Sequence, residues 1–126
     1  MSIANSSGLM VVADRRRKST HVITIGEADG DDVSVAANDV VRIKIGRAGD
    51  LTPLLDVESG TATDNGSICT AANPTELTLF GEDLIFPTGI YDIEVSIVDT
   101  SDANKMKKAE RGIFVLRESV GGEIAA

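Results

Sequence analysis

The sequence predicts an all-β protein, a single antiparallel sandwich of about seven or eight short strands, and three observations predict it. Apolar and polar residues alternate with a period of two in several runs, no stretch carries a convincing helical stripe, and turn-forming residues interrupt the chain at short intervals. A chain of 126 residues is a little under one domain's worth, and 42% apolar with 25% charged residues lies in the globular range.

Taken in order, residues 1–20 read as an extended amino-terminal arm, with the apolar run Met10-Val11-Val12-Ala13 ahead of the basic run Arg15-Arg16-Arg17-Lys18. His21 to Ile25 is short and β-branched. Asp39 to Arg47 alternates, with Val41, Ile43 and Ile45 on one face and Val40, Arg42 and Lys44 on the other. Pro53 to Glu58 follows. Asn65-Gly66, lying between Thr61-Ala62-Thr63 and Ser67-Ile68-Cys69-Thr70, predicts a hairpin closed by a type I′ turn, because that turn needs positive φ at both central residues. Glu76 to Phe80 is the next strand, and Gly81 to Leu84 suits one helical turn. Tyr91-Asp92-Ile93-Glu94-Val95-Ser96-Ile97 is the clearest strand of all. Asn104 to Lys108 offers a second helical turn or, the preferred reading, a hairpin tip lined by Lys105, Lys107 and Lys108, and Arg111 to Leu116 reads as the last strand. The sandwich thus spans 21–118, and 119–126 reads as a flexible tail.

Composition removes several functions. One Cys forms no intrachain disulfide, and His21 with Cys69 falls short of a zinc ligand set. Twenty acids against twelve bases give a net charge of −8, which disfavours a general grip on nucleic acid. No apolar run reaches the roughly 18 residues of a membrane span, and the start shows no signal-peptide pattern, so manufacture in the cytoplasm with no membrane partner is expected. The charge is uneven: +3 over residues 1–21, −13 over 22–104 and +2 over 105–126. A basic end meeting another copy's acidic body is the interaction this split permits.

Chemistry finds little purchase. Glu27, Asp29, Asp31 and Asp32 bring four carboxylates into six residues, a density that suits Ca²⁺, but Val40 stands where an EF-hand loop beginning at Asp29 needs Glu, so a solvated turn is expected. Cys69 reads as a small buried hydrophobe. No catalytic residue, cofactor site or metal site is expected. Sugar binding normally uses exposed aromatic faces, and Phe80, Phe86, Tyr91 and Phe114 all read as core. Tyr91 suits a corner tyrosine whose hydroxyl donates to nearby backbone.

Asn38-Asp39-Val40-Val41-Arg42-Ile43-Lys44-Ile45, Asn65-Gly66-Ser67-Ile68, Glu76-Leu77-Thr78-Leu79, Gly89-Ile90-Tyr91-Asp92-Ile93-Glu94-Val95 and Arg111-Gly112-Ile113-Phe114-Val115 mark a region, about 35–118, that resembles immunoglobulin-like β-sandwich domains of tailed-phage particles. The likeness is to amino-terminal domains of upper baseplate proteins and to small particle proteins with the same strand pattern. It implies a non-enzymatic scaffold located in the virion, whose partners are other particle proteins and copies of itself. Against a baseplate component, the extra arm and the short tail shift the expectation toward a capsid decoration (cement) protein or an adaptor; a baseplate part or a carbohydrate-binding module is the alternative. Leu9, Met10, Val11, Val12, Arg15, Arg16, Arg17 and Lys18 are the expected interface, so deleting residues 1–18 should leave a folded domain that no longer assembles.

Overall fold

A computed structural model describes residues 9–26, 34–101 and 105–118. Among them are eight strands in two sheets and one 3₁₀ turn, Gly81–Asp83, where the sequence suits a helical turn. The strands are β1 (Met10–Asp14), β2 (Ser19–Ile23), β3 (Asp39–Gly46), β4 (Leu55–Glu58), β5 (Ile68–Cys69), β6 (Thr75–Leu79), β7 (Gly89–Asp99) and β8 (Lys105–Arg117). The larger sheet runs β1-β8-β7-β3-β4 and the smaller β2-β6-β5.

Period-two alternation builds the space between the sheets. On β3, Val41, Ile43 and Ile45 are buried while Val40, Arg42 and Lys44 stay half-exposed. Register sets Ile43 beside Val57 of β4 and Val95 of β7, and Ile45 beside Leu55 and Ile93. Leu77 and Leu79 of β6, Ile23 of β2 and Cys69 of β5 close the same core from the smaller sheet. Phe114 on β8 is fully buried; the Phe86 ring lies 6.4 Å from it and meets Tyr91 edge-on at 5.0 Å. The Tyr91 hydroxyl donates to the Pro87 carbonyl, the bond expected of a corner tyrosine.

Three expectations are corrected. The first concerns the arm. Residues 1–8 lie outside the described residues, but Met10–Asp14 is not an extension: it is the edge strand of the larger sheet, with Val11 and Ala13 in the core. The second concerns pairing, which is antiparallel throughout except here, where β1 runs parallel to β8 from Met10↔Ile113 to Asp14↔Arg117. Parallel neighbours need a long crossover, and nearly the whole domain serves as that crossover. Gly112 permits the approach: a Cβ there would stand 2.2 Å from the Leu9 carbonyl oxygen.

The third correction is the hairpin. The turn at Asn65-Gly66 does form, with Thr63 N–H donating to the Ser67 carbonyl at 2.9 Å, but Ile68–Cys69 pairs with Thr78 and Leu77 of β6, not with residues 61–63. Gly66 has φ of +105°, whereas Asn65 is not in positive-φ space, so the turn is not type I′. Asn65 instead spends its amide on Asp83, donating to Oδ1 at 3.0 Å.

Candidate functional site

The residues expected to form an interface are divided by the sheet. Leu9 is half-buried against the core and Val11 points into it, while Met10 and Val12 lie on the outer face. The basic run does not project as an arm; it makes the tight turn that carries the chain from β1 in one sheet to β2 in the other. Arg15 N–H donates to the Arg117 carbonyl at 2.7 Å, and its side chain reaches the Ile85 carbonyl at 3.3 Å and Glu118 at 3.9 Å. Arg16 adopts φ of +63° and presses its backbone on Gly81, where a Cβ would meet Arg16 C and O at 2.4 Å. Arg17 N–H closes the turn on the Asp14 carbonyl at 3.2 Å, and the Lys18 ammonium sits 4.8 Å from the Phe80 ring centre. Of the four cations, Arg16 and Lys18 are the exposed ones.

The outer face of the larger sheet carries an ordered ladder of charge that residue counting does not show. Arg42 bonds Asp56 at 2.9 Å and lies 3.7 Å from Glu58, both on β4; Arg111 of β8 meets Glu94 of β7 at 3.3 Å; Arg117 meets Asp14 of β1 at 3.0 Å. The basic face of β3, unexpected in an acidic stretch, is therefore the counterpart of acids on its neighbours. Such surface pairs contribute about 0–1 kcal/mol each, and their larger effect is on register. A shallow groove of about 330 Å³ lies over one end of the ladder, with Lys44, Arg47 and Arg111 facing Asp50, Asp92 and Glu94. With both signs equally represented, it has no preference for an anion or a cation.

His21 and Cys69 flank Leu77 from opposite sides in the smaller sheet, both in register with it. Two strand spacings, about 10 Å, separate them, too far for a thiolate–imidazole pair. Burial pushes the Cys69 thiol up to about 11, and its Sγ points at the Val41 carbonyl at 3.4 Å. Burial lowers the His21 pKa, and its Nε2 pairs with the Ser19 hydroxyl at 2.8 Å. The carboxylates Glu27, Asp29, Asp31 and Asp32 lie outside the described residues. Among the described residues no group of three or more His, Cys, Asp or Glu is placed to hold a metal, and no helix is long and apolar enough to cross a membrane. Tyr91 and Phe114 are buried, and Phe80 and Phe86 are half-buried.

The polar cluster with the most convergent geometry is Asp83. Thr63 Oγ1 donates to its Oδ2 at 2.7 Å and Asn65 to its Oδ1 at 3.0 Å, while the Ser67 amide donates to Thr63 Oγ1 at 3.0 Å. Burial alone would raise this carboxyl's pKa, but hydrogen bonds from Ser67, Asn65 and Thr63 outweigh it and hold the pKa below its ordinary value of 3.8. A lowered folded-state pKa means the stabilisation is complete above 3.8 and is lost as pH falls below it toward the folded-state value. Asp83→Asn should cost about 1–3 kcal/mol at neutral pH, because the donors lose a charged acceptor. Urea titrations at a series of acidic pH values should show the variant's midpoint changing less than the wild type's over this range; parallel curves would remove Asp83 from the acid response.

No protein-family model, curated protein or solved structure matches this chain.

Proposed function

We propose that this chain is a non-enzymatic structural subunit of a tailed-phage particle, an immunoglobulin-like sandwich that serves as a capsid decoration (cement) or adaptor protein through contacts with other particle proteins. The observation that carries this reading is the strand order. A sheet β1-β8-β7-β3-β4 facing a sheet β2-β6-β5, with the Tyr91 hydroxyl bonded to backbone near the start of β7, supports a two-sheet sandwich, and we read it as immunoglobulin-like on the strength of the sequence resemblance. The region of resemblance contains β3 to β8, so the motif residues Gly89 to Val95 and Arg111 to Val115 are the central hairpin of the larger sheet.

Contacts in this reading fall on the outward members of the expected interface: exposed Met10 and half-buried Val12 on the outer face, Arg16 and Lys18 on the turn. Mass spectrometry of purified particles should find the chain in a fixed ratio to the major shell protein. Particles that form with full infectivity and lack the chain overturn the proposal. Arg16→Glu with Lys18→Glu, which leaves β1 in place, should reduce incorporation while the isolated domain keeps its melting temperature.

A further inference from the structure

On the outer face of the larger sheet, three adjacent strands set apolar side chains side by side. Register places Ile90 of β7 next to Val115 of β8, and Val115 next to Val12 of β1; one step along, Ile113 of β8 lies next to Met10. Ile90 is 75% exposed, Met10 61% and Ile113 45%. Isolated surface hydrophobes need no explanation, but three exposed ones joined by the half-buried Val12 and Val115 form a patch that water covers at a cost. The patch has a charged border at both ends. Asp14 and Arg117 pair beyond Val12 and Val115, the Glu94–Arg111 pair stands beyond Ile113, and Asp92 flanks Ile113 as its register partner on β7.

We infer that this patch packs against the same patch of a second copy, making a two-fold dimer through the outer face of the larger sheet. The choice of partner comes from charge. The chain carries −8 in all, so two copies repel over most of their surfaces. Among the described outward side chains of the five strands, however, Arg42, Lys44, Arg111 and Arg117 stand against Asp14, Asp56, Glu58, Asp92 and Glu94, a balance of −1. Both borders of the patch hold both signs, Asp14 with Arg117 and Glu94 with Arg111, so a two-fold rotation can set an arginine of one copy against a carboxylate of the other. An interface that a two-fold builds must be complementary to itself, and this face meets that condition. A uniformly basic partner would find its acids elsewhere on the molecule. The inference deepens the subunit reading and rests on it for the presence of neighbouring copies; its test uses purified protein alone, so its failure leaves the particle experiment standing.

Sedimentation equilibrium from low to high micromolar concentration should show a monomer–dimer equilibrium. Ile90→Lys and, separately, Ile113→Lys should weaken dimerisation at least tenfold with the thermal midpoint of the diluted monomer unchanged. Val22→Lys, on the smaller sheet where Val22 is 68% exposed, is the control and should dimerise like the wild type. A wild type that stays monomeric throughout overturns the inference. So does a dimer that survives both isoleucine substitutions or dissociates with the Val22 control.

Discussion

Deleting residues 1–14 should destabilise the domain by about 5 kcal/mol or more, rather than trim an appendage from it. Val11 and Ala13 are 3% and 2% exposed, in register with Phe114 and Leu116, so their removal opens one side of the core. Burying a valine is worth about 1.5–3 kcal/mol, and each lost ladder hydrogen bond adds about 1 kcal/mol. The total rivals the 5–15 kcal/mol by which a typical domain is stable. Urea unfolding followed by far-ultraviolet circular dichroism should show a transition at much lower denaturant, or none. Gly112→Val tests the same contact without shortening the chain, since its side chain would meet Leu9 O at 2.2 Å and Leu9 Cβ at 2.6 Å. A deletion that unfolds with the wild-type midpoint would show that β1 contributes nothing to the fold.

Phe114→Ala should cost about 3–5 kcal/mol, the range for removing a fully buried aromatic ring. The ring is 0% exposed, faces Tyr91 and Val11 across the ladder, and packs on Phe86. The Tyr91 ring is held in part by its bond to the Pro87 carbonyl and Phe86 packs edge-on against it, which limits how far the two collapse into the void. Phe114→Leu should lose markedly less. Equal losses from the two substitutions in chemical denaturation would mean that the ring's volume is not what the site needs.

How far the fold could be read from the chain depended on where each strand finds its partners. Tyr91 to Ile97 and Asp39 to Ile45 alternate cleanly because one face of each is core and the other meets polar neighbours, so their local pattern carries their position. β1 has the same inward and outward alternation, but Met10 and Val12 on the outside are as apolar as Val11 and Ala13 on the inside. With no polar face to mark the period, and with a partner about 100 residues away, the segment reads as a free sticky arm. The basic run hides its role for a related reason. Its charge is visible, but its role as a turn follows from Arg16 φ and from the bare backbone of Gly81, both tertiary matters. The Asn65-Gly66 turn follows the same logic, since Asp83 recruits the Asn65 side chain from 18 residues away. The apolar patch was legible only in fragments, because Ile90, Ile113 and Met10 come from three strands that register alone brings together.

The parallel alignment of β1 with β8 also decides how the molecule bears load. Tension applied across residues 9 and 117 drags these two strands past each other along their length, because Met10 lies beside Ile113 and Asp14 beside Arg117. Every bridge between them is then strained in shear together, instead of being unzipped one at a time from an end. A block gripped at those two points resists pulling as a clasp does, yielding only when the whole seam lets go.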